Sequence, residues 1–121
     1  MGDYTATHNG DLNVHLGGGD NTLVGGSWFA HSGTFTYDGL GQSDTVSFGD
    51  YSGAKSGTIT LNLGNGDNKL TGGGHVAHSG TLVYTGGLDR DDLDFGDALA
   101  IWGGDVQINA GKGYNLSLIH I

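Results

Sequence analysis

Short runs of alternating apolar and polar residues recur along the chain, each behind a glycine. The runs cover 11–16, 34–39, 58–63, 81–86 and 105–110. The glycines before them are Gly10, Gly33, Gly57, Gly80 and Gly104, spaced 23, 24, 23 and 24 residues apart. Alternation with a period of two predicts β-strands with one face turned inward. The inward positions form two columns: Leu12, Phe35, Ile59, Leu82 and Val106, then Val14, Tyr37, Leu61, Tyr84 and Ile108. Outward stand Thr34, Thr58 and Thr81 with Thr36 and Thr60, β-favouring residues suited to a half-buried surface. After each run comes a turn and then a second short strand, marked by Leu23, Val46, Leu70 and Leu93 at the same spacing. Two positions on, Gly25 and Gly72 alternate with Phe48 and Phe95, a large-and-small pattern that fills a narrow interior. The one-residue difference between successive units falls after this strand, around 48–53 and 95–100. That puts it in a back turn, where insertions are tolerated.

The pattern is a duplication. Residues 12–58 align with 59–105 without a gap, and 20 of the 47 positions are identical. The clearest echo is Leu16-Gly17-Gly18-Gly19-Asp20-Asn21-Thr22-Leu23 against Leu63-Gly64-Asn65-Gly66-Asp67-Asn68-Lys69-Leu70, and a third copy begins at Ala110-Gly111-Lys112-Gly113-Tyr114-Asn115. Each half-unit then makes one coil of strand, front turn, strand and back turn. Stacked coils pair as parallel strands about 4.8 Å apart. The predicted fold is all-β, a parallel β-roll or β-solenoid of 23–24-residue coils. It forms one segment over 1–115, with units at 12–58 and 59–105 and a third starting at 106.

Composition narrows the function classes. Glycine contributes 26 of 121 residues without a collagen period, and proline and cysteine are absent, so neither a disulfide framework nor a thiolate metal site is expected. A net charge of −9 argues against nucleic acid as a partner and suits cations. No apolar run reaches the ~20 residues of a membrane span. Residues 116–121, Leu-Ser-Leu-Ile-His-Ile, break the repeat and match the translation of a transposase adaptor used in preparing sequencing libraries. They are read as a foreign tail and carry no functional argument.

The front turns are the candidate site. They cover 17–21, 40–44, 64–68, 87–91 and 111–115, and stacking sets Asp20, Asn21, Asp44, Asp67, Asn68, Asp89, Asp91 and Asp92 along one edge. Stacked carboxylates repel unless something neutral or positive lies between them. A hard cation such as calcium, which takes 6–8 oxygens from carboxylates, amides and carbonyls, is one solution. An alternating Asp/Asn edge that hydrogen-bonds to itself is the other, and needs no metal.

The residues Gly86-Gly87-Leu88-Asp89-Arg90-Asp91-Asp92-Leu93-Asp94, and less fully 63–71 and 16–24, resemble the RTX or haemolysin-type nonapeptide GGxGxDxUx. The resemblance implies Ca²⁺ held by Asp20, Asn21, Asp44, Asp67, Asn68, Asp89 and Asp91, and a repeat segment of a secreted or cell-surface bacterial adhesin or toxin that folds after export. Its further partners would be other repeats of a longer chain or a cell-surface ligand. Two departures stand out. Family turns repeat every nine residues, whereas here they recur every 23 or 24, and Asn replaces Asp in every other coil.

Other constellations carry less. Gly49-Asp50 and Gly96-Asp97 lie two coils apart, too far to share an ion, and read as ordinary turns. His31-Ser32 and His78-Ser79 repeat with the scaffold, as do His8, Lys55 and Trp102 in the same column, and a duplicated pair without an asymmetric site does not suggest a hydrolase. Trp28-Phe29 has no aromatic counterpart at 75–76 and reads as back-turn packing. No catalysis is expected. The sequence therefore points to a non-catalytic, calcium-stabilised repeat segment, with a metal-independent β-solenoid stalk or adhesin as the alternative.

Overall fold

In the computed structural model, described over residues 10–27, 30, 32–50, 56–77, 79–96, 98–99 and 103–119, the chain winds into a parallel β-solenoid. The strands are β1 (Asp11–Gly17), β2 (Thr22–Val24), β3 (Thr34–Gly39), β4 (Thr45–Ser47), β5 (Thr58–Gly64), β6 (Asn68–Thr71), β7 (His75–Val76), β8 (Thr81–Gly86), β9 (Asp91–Phe95), β10 (Ala98–Leu99), β11 (Asp105–Asn109) and β12 (Leu116–Ile119). They form two five-stranded parallel sheets, β1-β3-β5-β8-β11 and β12-β9-β6-β4-β2, and a short pair β10-β7. Parallel pairing needs a crossover between neighbouring strands. Here the second strand and the back turn of each coil supply it, which is why non-consecutive strands sit side by side.

The register bears out the columns read from the sequence. Leu12 opposes Phe35, then Ile59, Leu82 and Val106; Val14 opposes Tyr37, then Leu61, Tyr84 and Ile108. Leu23, Val46, Leu70 and Leu93 stack in the second sheet. Along β3 and β5 the side chains alternate strictly between buried and half-buried. Phe35, Ile59, Leu61, Leu70 and Val46 are fully buried, each gaining roughly 1.5–3 kcal/mol from leaving water. The large-and-small pattern also holds. Phe48 meets Phe35 edge to face at 6.2 Å between ring centres. A side chain at Gly72 would strike Val76 at 2.8 Å and Phe95 at 3.2 Å. The extra residue of alternate coils lies between Ser47 and Thr58, and again between Asp94 and Asp105, so it is in the back turn as expected.

Two features were not legible beforehand. In β1 and β5 the register slips by one at Leu16 and Leu63, so these strands are longer than β3 and β8 and bulge before the front turn. The ladder also runs past Asn115. Leu116–Ile119 pairs with β9, but with Ser117 opposite the buried Leu93 and Leu116 opposite Asp92. The apolar phase of this stretch is thus shifted from the repeat, and Leu116 stays 54% exposed.

Candidate functional site

Each front turn begins where a strand of the first sheet ends and closes where one of the second begins, so stacking aligns equivalent turn residues. The last residue of each turn faces inward and builds a continuous column: Asn21, Asp44, Asn68, Asp91 and Asn115. The column is hydrogen-bonded from coil to coil. Asp44 Oδ1 accepts from the Asn21 backbone N–H at 3.0 Å and from Asn21 Nδ2 at 3.1 Å. The Asp44 N–H donates to Asn68 Oδ1 at 3.0 Å, Asn68 Nδ2 to Asp91 Oδ1 at 3.0 Å, and the Asp91 N–H to Asn115 Oδ1 at 2.9 Å. The asparagine amides also tie down the glycine-rich turns, through Gly19 O for Asn21 at 2.9 Å and Gly64 O for Asn68 at 3.1 Å. Alternation of Asp with Asn explains why the column holds: every carboxylate faces amides, and no two carboxylates are neighbours.

The remaining expected residues form a separate, exposed row. Asp20 Oδ1 accepts from the Ser43 N–H at 3.0 Å, Asp67 Oδ1 from the Arg90 N–H at 3.1 Å, and Asp89 Oδ2 from the Gly66 N–H at 3.0 Å. Asn65 does the same for the Leu88 N–H at 3.1 Å. These side chains staple a turn to its neighbour by satisfying backbone N–H groups that the turn geometry leaves open. The structure therefore brings Asn21, Asp44, Asn68 and Asp91 together and sets Asp20, Asp67 and Asp89 apart from them. Asp92 lines a cleft of about 210 Å³ with Asp67, Asn68, Lys69 and Arg90, so the front edge carries cations as well as carboxylates.

Sequence reasoning missed the partners of the two buried aspartates. Asp44 and Asp91 are fully buried, and Oδ2 of each has no partner in hydrogen-bonding geometry; nor has the buried hydroxyl of Tyr37 or Tyr84. The hydroxyl and the carboxylate of each coil are nevertheless neighbours. Tyr37 is pushed up to about 12 by burial first, then by the charge of Asp44 and by donation towards it. Tyr84 is pushed up by burial, then in the same ways by Asp91. A hydroxyl can turn to meet an acceptor, and a small adjustment lets these two orphan oxygens satisfy each other. The carboxylate also needs a glycine beneath it. A Cβ at Gly39 would lie 2.1 Å from Asp44 Oδ2, and one at Gly86 would lie 1.8 Å from Asp91 Oδ2. Burial pushes the Asp91 carboxyl up; hydrogen bonds from Asn68 and Tyr84 oppose the shift, and Asp67 adds to it. The missed signal was present: Tyr, Gly and Asp recur together at 37, 39 and 44 and at 84, 86 and 91, and only in alternate coils.

A cation on this edge needs several free oxygens converging on one point. In the inner column the Oδ1 atoms already receive N–H groups, whose dipoles point positive ends at the oxygens a metal would use. Among the described residues no three His, Cys, Asp or Glu side chains converge. In the inner column the carboxylate Oδ1 atoms thus serve the coil-to-coil bonds. Among the described residues, the outer row keeps one unbonded oxygen on each of Asp20, Asp67 and Asp89. In the back turn, Asp50 Oδ1 accepts from the Gly74 N–H, the ordinary turn role expected of it. His8, Trp28, Phe29, His31, Lys55, His78, Asp97 and Trp102 lie outside the described residues. Against models of known families, curated proteins and solved structures, the chain finds no match.

Proposed function

We propose that this chain is a structural repeat scaffold whose front edge holds the coils in register without a metal, giving length and an outer surface rather than a reaction. The observation that carries this reading is the unbroken Asn21–Asp44–Asn68–Asp91–Asn115 column, in which neighbouring coils bond directly at the positions where the sequence suggests calcium. Each such bond contributes about 1 kcal/mol, more where a carboxylate accepts. A non-catalytic role fits a site that repeats with the scaffold. Placement outside the cell or on its surface rests on the RTX resemblance.

Calcium remains the second reading, favoured by one observation: Asp20, Asp67 and Asp89 share an edge, and each has an oxygen free of hydrogen bonds among the described residues. Ions there would add stability by mass action, at the ~10⁻⁴–10⁻³ M of extracellular calcium modules. Circular dichroism and thermal melting in excess EDTA, then in millimolar calcium, separate the two. The scaffold reading expects a β spectrum and melting temperature that EDTA leaves unchanged. Loss of the spectrum in EDTA, restored by calcium, would overturn it.

A further inference from the structure

One front turn breaks the repeat in a chemically specific way. Of the chain's eight asparagines, only Asn9 and Asn65 precede a glycine. At the positions 47 residues to either side of Asn65 stand Gly18 and Lys112. Its neighbour in the next coil, Asp89, departs as well, since Gln42 stands 47 residues before it. Asn65 is exposed on the front edge. The glycine after it is required by the fold: Gly66 has a φ of 107°, and a Cβ there would lie 2.2 Å from Gln42 O. The turn therefore holds an Asn–Gly pair, in which no side chain shields the backbone nitrogen that follows the asparagine.

The next backbone nitrogen can attack an asparagine side chain, closing a cyclic imide and expelling ammonia. That step needs a base for the nitrogen's proton and a donor for the charge that builds on the side-chain oxygen. Two consecutive residues of the next coil stand in those places. The Gly66 N–H donates to Asp89 Oδ2 at 3.0 Å, within the reach of a general base. Asn65 Oδ1 accepts from the Leu88 N–H at 3.1 Å, where an oxyanion donor belongs. Because Leu88 and Asp89 are adjacent, the two bonds hold the side-chain carbonyl and the attacking amide on the same side of the turn. Asn65 Nδ2, the leaving nitrogen, donates to nothing among the described residues.

We propose that Asn65 is a self-modification site, converted through an imide with Gly66 into aspartate and isoaspartate. Asp89 takes the Gly66 proton as the bond from Gly66 N to Asn65 Cγ forms. The bond from Cγ to Nδ2 then breaks, and the nitrogen leaves as ammonia with that proton. Water at the exposed edge opens the imide. Addition at Cγ gives an ordinary chain with aspartate at this position. Addition at the main-chain carbonyl gives isoaspartate, whose backbone runs through Cγ. Nothing is oxidised or reduced: amide and water become carboxylate and ammonia. Each chain reacts once, so the scaffold role stands beside it. Either product adds a negative charge to the −9 of the parent, in the row of Asp20, Asp67 and Asp89. The aspartate keeps an oxygen for the Leu88 N–H, whereas isoaspartate lengthens the turn by a carbon.

The test incubates the full chain folded, and in concentrated guanidinium chloride, at one pH and temperature. The tryptic peptide 56–69, which holds Asn62, Asn65 and Asn68, is followed by tandem mass spectrometry for the mass gain of amide to acid. Conversion at Asn65 should be about tenfold or more faster in the folded chain, whereas exposure alone gives at most the denatured rate. Asp89→Asn keeps an oxygen to accept the Gly66 N–H but supplies no base. With its β spectrum intact, it should lose about tenfold or more of the folded rate and leave the denatured rate unchanged. A folded parent that reacts at Asn65 no faster than the denatured chain would overturn the proposal, with no variant needed. So would a folded Asp89→Asn as fast as the parent, or conversion confined to Asn62 and Asn68.

Discussion

Two kinds of coil alternate in this molecule, and they solve one problem differently. In the asparagine coils, Asn21 and Asn68 fold back on the carbonyls of their own turn, and Val14 or Leu61 stands in the column where the aspartate coils have tyrosine. Those turns open on glycines at positive φ, Gly17 at 74° and Gly64 at 73°, behind a one-residue bulge. In the aspartate coils the inner side chain is charged, a tyrosine replaces the aliphatic residue, and the strand runs into its glycine without a bulged leucine. The amide is self-sufficient, being donor and acceptor at once. The carboxylate has acceptors only; its Oδ1 draws donors from the preceding coil, and its Oδ2 has the tyrosine of its own coil as neighbour. A buried charge is tolerable where it is hydrogen-bonded and ruinous where it is not. The difference shows that the repeating unit is a pair of coils, each completing what the other lacks.

The hardest way to break this pairing is to fill the space under the carboxylate. Gly86→Ala puts a methyl carbon 1.8 Å from Asp91 Oδ2 and 3.2 Å from Ala110 O, and should destabilise the fold by about 3 kcal/mol. Gly18→Ala, with nothing within 4 Å, should leave the melting temperature almost unchanged. Gly86→Ala combined with Asp91→Ala should recover part of the loss, and a double variant no better than the sum of the two singles would show that the clash lies elsewhere.

Removing the hydroxyl is the next step down. Tyr84→Phe leaves Asp91 Oδ2 with no donor beside it and should cost about 2 kcal/mol in denaturant unfolding. A Phe variant as stable as the parent would mean that the hydroxyl and the carboxylate do not serve each other.

The pH dependence sharpens the comparison, because these titrating groups belong to the aspartate coils. Asp91 is raised from an ordinary 3.8, so its contribution is fully present below that pH and is lost as pH rises through the folded value. Asp91→Asn should therefore gain stability relative to the parent at neutral pH, and the gain should shrink as pH falls towards 4. Tyr37 works at the other end of the scale. Its contribution is held below pH 10 and lost as pH rises through about 12, which tyrosinate absorbance and melting recorded together would follow. Coincident titration of Tyr37 with free tyrosine would remove the Tyr37–Asp44 pairing.

The smallest effect belongs to the outer row. Asp20→Ala frees one exposed N–H, on Ser43, and should cost about 0.5–1 kcal/mol, since water can take the place of the carboxylate. A loss as large as that of Gly86→Ala would move the burden of the front edge from the inner column to the outer row.

Much of this architecture was written in the chain. The period-two runs, the 23- and 24-residue spacing and the 47-residue echo determined the columns, the parallel stack and the back-turn insertion, because each depends on which residues are apolar and how far apart they are. The candidate edge was legible too, as a list of acidic and amide residues at equivalent positions. What spacing could not tell was which way each side chain turns. Asp20 and Asn21 are neighbours in sequence, yet one caps a backbone N–H at the surface and the other joins a buried column. Asp44 and Asp91 read as candidate cation ligands on the edge, and the fold buries them over a glycine and beside a tyrosine seven residues upstream. The sequence by itself determined the period and the stacking, because hydrophobic pattern is local information summed along the chain. Only the tertiary structure decided what the edge residues bond to, because those partners come from the coils above and below, and a hydrogen bond exists only when distance and direction agree.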